Sequence, residues 1–301
     1  MDIAIMIEGQ NGLTWPRWQK LAAAVEELGF AGLYRSDHFT NVDAPDTDSL
    51  ECWTSLTWLA SHTRRIEFGP LVSPVSFRPP ALTARMAAAV DDLSGGRLTL
   101  GLGAGWQERE HTLFGFDLLD LKSRFARFEE GLEVITLLLK SDQPVSFAGK
   151  YFQLRGASLL PRPQRPDGAH ILIGGNGEQR TLPLAARYAD EWNAVFQTAA
   201  GFSRLSARLD ALLKAEGRKP ESLRRSLMTG LRFAQTRAGL EAKLNGRDPD
   251  ELRARGMIIG VGDEILPQLA GLKQAGVQRV MLQWMELDAL ENLAALAKVV
   301  L

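Results

Sequence analysis

Eight short β-type runs recur along this 301-residue chain, each followed by a longer stretch with apolar residues at helical spacing. The runs cover 3–7, 31–35, 66–72, 97–102, 170–173, 192–196, 227–233 and 277–283. Strands joined through crossover helices lie parallel, and eight such units match a closed (β/α)8 TIM barrel, an α/β fold, better than an open sheet. The helical stretches carry their own start and stop signals. Trp18, Leu21, Val25 and Leu28 form one stripe between Thr14, a candidate N-cap, and Gly29, a candidate stop. Leu82, Met86, Ala89, Val90 and Leu93 follow Pro79-Pro80 and end at Ser94-Gly95-Gly96. Phe125, Phe128, Leu132, Ile135 and Leu139 make a third stripe. Pro183 requires the helix after the fifth strand to begin just before it, near 177–180.

Two segments interrupt the alternation. In 141–166, Pro144, Gly149, Pro161, Pro163 and Pro166 preclude a long helix, and 145–154 reads as a small hairpin over the barrel. Segment 236–256 is rich in Arg, Asp and Glu and reads as an exposed helical insertion. No Pro/Gly/Ser linker separates two compositional regimes, so 1–301 is expected to form one barrel domain.

Charge and cysteine content narrow the function classes. Lys plus Arg (35) nearly equals Asp plus Glu (36), which leaves no general field for nucleic acid or an anionic membrane. No stretch reaches the roughly 18 apolar residues of a membrane span, and a cytoplasmic protein acting on a small-molecule substrate is expected. The one cysteine, Cys52, rules out an intramolecular disulfide framework and reads as a buried apolar thiol. His62, His111 and His170 fall on a predicted helix, a loop and a strand start without metal-ligand spacing, so no metal is expected.

A barrel of this kind places its ligand site at the C-terminal ends of the strands. The residues there are Arg35-Ser36-Asp37-His38-Phe39, Leu71-Val72-Ser73-Pro74, Gly103-Ala104-Gly105-Trp106 and Gly174-Gly175-Asn176-Gly177. The last turn suits a phosphate, since glycine lets backbone N–H groups approach an anion that the following helix N-terminus also attracts; Arg180 and Thr181 could add contacts. A tight strand-to-helix connection needs glycines in any case. Gly101 to Gly105 lacks the third glycine of a dinucleotide loop, where Trp106 stands. Gly103-Ala104-Gly105 leaves room for a flat ring near backbone, with Trp106 either packed on that ring or filling the barrel rim. His38 is a proton acceptor suited to neutral pH, with Asp37 beside it, provided both sit beyond the strand end.

Ser36-Asp37-His38-Phe39, Phe77-Arg78-Pro79-Pro80, Leu93-Ser94-Gly95-Gly96-Arg97, Gly101 to Trp106 and Ala185-Ala186-Arg187-Tyr188-Ala189-Asp190 together resemble the luciferase-like monooxygenase superfamily. Within it, the chain looks most similar to the coenzyme F420-dependent oxidoreductases. The resemblance implies a barrel that binds the deazaflavin F420, or FMN, at the strand C-termini, with phosphate held by Gly174 to Gly177. It implies further that Asp37 and His38 face the ring and that His38 acts as base in hydride transfer. It also implies a bulge with a non-prolyl cis peptide near Leu71 to Ser73, behind the ring. Where alcohol-oxidising relatives carry an acidic residue after the strand-four glycines, this chain has Trp106, with Glu108 and Glu110 in the same loop. An FMN-dependent monooxygenase and a non-catalytic flavin-binding barrel are the alternatives, and a homodimer is the assembly the resemblance suggests.

Overall fold

A computed structural model describes residues 1–301. In chain order the first elements are β1 (Asp2–Ile7), α1 (Trp15–Leu28), β2 (Gly32–Arg35), α2 (Cys52–His62), β3 (Glu67–Pro70), β4 (Ser73–Pro74), α3 (Pro80–Ser94), β5 (Thr99–Gly103), α4 (Glu108–Phe114) and α5 (Leu121–Lys140). The excursion β6 (Val145–Ala148) and β7 (Gln153–Ala157) follows, then β8 (His170–Gly174), α6 (Thr181–Tyr188), β9 (Glu191–Val195), α7 (Ala199–Ala215) and β10 (Arg224–Ala234). The chain ends with α8 (Arg237–Leu244), α9 (Pro249–Ala254), β11 (Ile258–Val261), α10 (Leu266–Gln274), β12 (Arg279–Gln283) and α11 (Leu290–Val300).

Eight strands pair in parallel in the order β3-β2-β1-β12-β10-β9-β8-β5. A parallel bridge between Phe68 and Leu98 joins the two ends and closes the (β/α)8 barrel. The backbones meet so closely at this seam that a Cβ on Gly69 would lie 1.9 Å from the Thr99 carbonyl oxygen. Only glycine fits there.

Strand alternation divides the interior into two cores. Ile3, Ile5 and Ile7 of β1 join the large apolar layer between sheet and helices. Ala4 and Met6 point inward, with Tyr34, Leu71, Leu172, Met228 and Met281, and fill the barrel itself. At the strand N-termini the fully buried Arg279 bonds Glu67 at 2.7 Å and the Tyr34 hydroxyl at 2.5 Å, with Glu191 3.5 Å away. Burial works against the Arg279 charge, but Tyr34, Glu191 and Glu67 outweigh it and raise its pKa. This cluster anchors the base of the barrel, at the end opposite the mouth.

The eight expected strands are all present, and the helix boundaries hold with small shifts, but α3 does not bury the expected stripe. Leu82, Ala89 and Leu93 are exposed, and Thr83, Ala84, Ala87, Ala88 and Val90 face the core because small residues let the helix approach closely. Thr14 occupies the N-cap of α1 without a side-chain capping bond, and Gly29 ends that helix at φ 96°. Helix α6 starts at Thr181, which places Pro183 in its first turn. Cys52 is buried, and burial raises its pKa well above the usual thiol value.

Three expectations need correction. The third run is not continuous to residue 72: β3 stops at Pro70, a cis peptide joins Leu71 to Val72, and the chain pairs again only at β4. His111 sits on α4 and not in a loop. Segment 236–256 forms two helices, α8 and α9, that lead into the unforeseen strand β11, which pairs with the distal part of β10 through Leu231 and Ile258. Ala234, Leu240, Leu244, Leu252 and Ile259 make a small core beneath these helices, so their inner faces are buried.

Candidate active site

A cavity of about 520 Å³ opens at the C-terminal ends of the strands. Of the residues singled out from sequence, Ser36, His38, Leu71, Val72, Pro74, Gly105, Trp106, Glu110, Gly174 and Gly175 line it. Its floor is the Leu71–Val72 cis peptide and the Val72 side chain. A Cβ on Gly103 would lie 2.6 Å from Val72 Cγ2, and one on Gly174 would lie 3.1 Å from Val72 Cγ1. The space left by these glycines is therefore taken by Val72, which makes a flat apolar shelf.

His38 reaches the cavity just past β2, and its partner comes from a distant element. Glu110 Oε1 is 2.8 Å from His38 Nδ1, and Glu110 Oε2 accepts the Phe39 N–H at 3.0 Å. A carboxylate oxygen can only accept, so Nδ1 carries the proton and Nε2 is the free acceptor of the neutral ring. Nε2 has no protein partner, and the ring lines the cavity. Burial alone lowers the His38 pKa, but the hydrogen bond and charge of Glu110, with Glu8 and Asp37 adding, outweigh it and raise the value. The exposed Trp106 meets the imidazole edge-on, with ring centroids 5.6 Å apart.

Helix α4 is locked to the loop after β2. Gln107 Nε2 donates to the Thr40 hydroxyl at 2.8 Å and the Asn41 carbonyl at 3.0 Å, and Arg109 bonds the Asn41 carbonyl at 3.1 Å. His111 Nδ1–H donates to the Gln107 carbonyl at 2.7 Å and Nε2 accepts from Ser76 at 2.7 Å, which makes His111 a structural clamp. Its pKa is lowered, chiefly by burial.

Asp37 turns away from the cavity. Its Oδ2 accepts from Ser73 at 2.6 Å and from Arg78 at 2.6 Å, while Ser73 also accepts the Trp53 indole N–H at 3.1 Å. Asp37 and Ser73 thus fix the chain behind the Leu71–Val72 shelf without lining the cavity. Ala104 packs into the outer core.

In the glycine turn, Gly175 has φ 125°, a conformation that suits glycine. Asn176 braces the turn, since its Nδ2 donates to the Val195 carbonyl at 2.7 Å and its Oδ1 accepts the Val195 N–H at 2.9 Å. The backbone N–H groups of residues 176–180, Gly177 included, meet no acceptor in the protein. Five free donors ahead of a helix N-terminus are chemically suited to a phosphate. The exposed Arg180 lies at the N-cap of α6, its guanidinium 5.8 Å from the Phe125 ring centroid.

A polar wall at the ends of β1, β2 and β12 was not singled out from sequence. Glu8 accepts from Gln283 at 2.7 Å and from Gln10 at 3.1 Å, and Ser36 donates to Gln10 at 2.7 Å. A polar pair, Glu8 and Gln10, directly after an apolar strand that ends at the mouth was the available signal. The fully buried Asn193 also lines the cavity, and its Oδ1 has no partner. Glu108, the other acidic residue of α4, is exposed and outside the cavity.

Comparisons with known proteins agree with this architecture. An F420-dependent secondary alcohol dehydrogenase, solved with an F420-acetone adduct, superposes with a TM-score of 0.85 over 99% of this chain and 98% of its own, at 18% identity. The F420-dependent glucose-6-phosphate dehydrogenase of Amycolatopsis mediterranei is 34% identical over 177 residues, which cover 56% of this chain and 48% of that protein. The 4-hydroxyprotoasukamycin monooxygenase of Streptomyces nodosus subsp. asukaensis is 30% identical over 181 residues, covering 59% and 46%. The chain spans about half the length of the curated relatives it matches. Residues 1–254 match the profile of the luciferase-like monooxygenases, so the barrel, its cis-peptide shelf and its glycine turn belong to a chain that is a member of the luciferase-like monooxygenase family.

Proposed function

We propose that this chain is an oxidoreductase that uses bound coenzyme F420 for hydride transfer to or from a small organic substrate. The observation that carries the reading is the His38–Glu110 couple, which leaves a free Nε2 on a ring lining the cavity above an apolar shelf. Relatives named as F420-dependent dehydrogenases support it.

The residues present fit such a cofactor. Leu71 and Val72 offer an apolar surface for a flat ring, and the free N–H groups of 176–180 suit its phosphate. When bound, the deazaflavin supplies a carbon that accepts or donates hydride. For an alcohol substrate, His38 Nε2 takes the hydroxyl proton as the carbon-bound hydrogen leaves with its electron pair, and returns that proton in the reverse direction. Glu110 keeps Nδ1 protonated and stabilises the imidazolium that forms. Glu8, Gln10 and Gln283 give the substrate a polar wall against which to orient.

Monooxygenases occur among the relatives at similar identity, and oxygen uptake separates the two chemistries. With an alcohol panel and F420 under exclusion of oxygen, the reading expects cofactor reduction. Turnover that requires both FMN and oxygen would assign the chain to the monooxygenases instead.

A further inference from the structure

A second cavity, of about 230 Å³, lies at the ends of β10 and β12 and shares Gln283 with the first. The two differ in charge. Glu8 and Glu110 are the carboxylates that line the large cavity, beside the neutral His38, and neither Lys nor Arg does so. Arg232, Lys243 and Arg247 line the small one, against a single carboxylate, Glu286.

That carboxylate is already engaged. Glu286 pairs with Lys243, whose ammonium also bonds the Phe233 carbonyl at 2.7 Å, and it accepts from Asn292 at 2.9 Å. The two guanidinium groups have no carboxylate within salt-bridge distance. Arg232 donates only to the Leu231 carbonyl at 2.8 Å, and Arg247 only to the Leu244 carbonyl at 3.0 Å. Burial lowers the pKa of Arg232 and the neighbouring charge of Arg247 lowers it further, with Glu286 opposing both. Arg247 is exposed and Arg232 half-buried, so their open donor positions are accessible. An oxyanion between them would relieve their mutual repulsion, since a guanidinium presents paired N–H groups to such a group.

We propose that Arg232 and Arg247 form an oxyanion subsite that holds a carboxylate or phosphate at the far end of the substrate, while its reacting carbon lies in the cavity beside His38. Gln283 stands at the junction, its amide donating to Glu8 at 2.7 Å. The acidic lining of the large cavity repels the anionic end, and the basic lining of the small cavity receives it. An elongated alcohol or carbonyl compound with one anionic group at its far end matches this separation. Only the assignment of the anion to a substrate rests on the oxidoreductase reading.

The test is calorimetric titration of the full chain with inorganic phosphate and, separately, malonate, at fixed ionic strength. Arg232→Gln and Arg247→Gln, checked by thermal melting, are each expected to weaken binding of at least one anion roughly tenfold or more; whichever anion is preferred identifies the group. Gly175→Val disturbs only the phosphate that the glycine turn itself takes, and anion binding that persists in this variant belongs to the arginine subsite. Anion binding that is lost only in Gly175→Val, or that is unchanged in both arginine variants, overturns the proposal. F420 titration of the arginine variants separates the ligands: unchanged affinity supports a substrate anion, and a matching loss overturns that assignment in favour of the cofactor. If the wild type binds phosphate through the arginines but binds no F420, the subsite stands and the F420 reading fails.

Discussion

Glu110 grips two successive residues of a strand end 72 positions away, with Oε1 2.8 Å from His38 Nδ1 and Oε2 accepting the N–H of Phe39 at 3.0 Å. One buried carboxylate therefore sets the position, tautomer and charge of the imidazole together. Because α4 is clamped to the Thr40–Asn41 loop through Gln107, this geometry is fixed before any ligand arrives.

His38→Ala removes the proton acceptor and leaves the shelf and the glycine turn in place. Turnover is expected to fall about 100-fold or more, with cofactor affinity little changed. Steady-state rates beside a binding titration check this, and unchanged turnover would remove His38 from the chemistry.

Glu110→Gln removes the largest of the interactions that raise the His38 pKa and leaves burial, which lowers it, opposed only by the weaker pull of Glu8 and Asp37. The acid limb of the pH profile for alcohol oxidation should move to lower pH, and the maximal rate should drop at least about tenfold as the imidazolium loses its counter-charge. Stability follows the same sign. The raised native pKa means the protonated pair stabilises the fold fully below the unfolded value of 6.5, and this contribution disappears as pH rises through the native pKa. Denaturation of wild type and Glu110→Gln should therefore differ most in mildly acidic solution and converge as pH rises. A constant difference would contradict the linkage.

Gly175→Val places a branched side chain at φ 125°, with its Cβ 3.3 Å from Thr181 Cγ2. The turn must shift, and cofactor affinity should weaken roughly tenfold, or about 1.4 kcal/mol. Equal affinity by fluorescence titration would move the phosphate elsewhere.

Arg279→Met at the base of the barrel removes the nearer cation of the buried Glu191 and leaves it only the longer 3.9 Å contact with Arg224. A loss of about 3 kcal/mol or more is expected in chemical denaturation at neutral pH. Because this cluster lies at the strand ends opposite the site, cofactor affinity of the folded fraction should not change.

Much of the barrel was legible because each strand is a short apolar run and each helix repeats at 3.6 residues, signals that are local. The mouth residues could then be read from their positions after the strands. Side-chain direction could not. Asp37 and His38 are adjacent, yet one turns to Ser73 and Arg78 and the other to Glu110, and both choices depend on partners 36 to 72 residues away. Helix α4 escaped notice because it has seven mostly polar residues, although Gly115, at φ 73° just after it, was a readable stop. Strand β11 was hidden for a related reason: four residues after a charged stretch give too short a pattern to stand out.

The most direct test of the hydride-transfer reading is equilibrium titration of the purified chain with F420 and, separately, with FMN, followed by absorbance and fluorescence. The account predicts saturable binding of F420 in clear preference to FMN, weakened by Gly175→Val and unaffected by His38→Ala. Preference for FMN, or binding of neither, would contradict it.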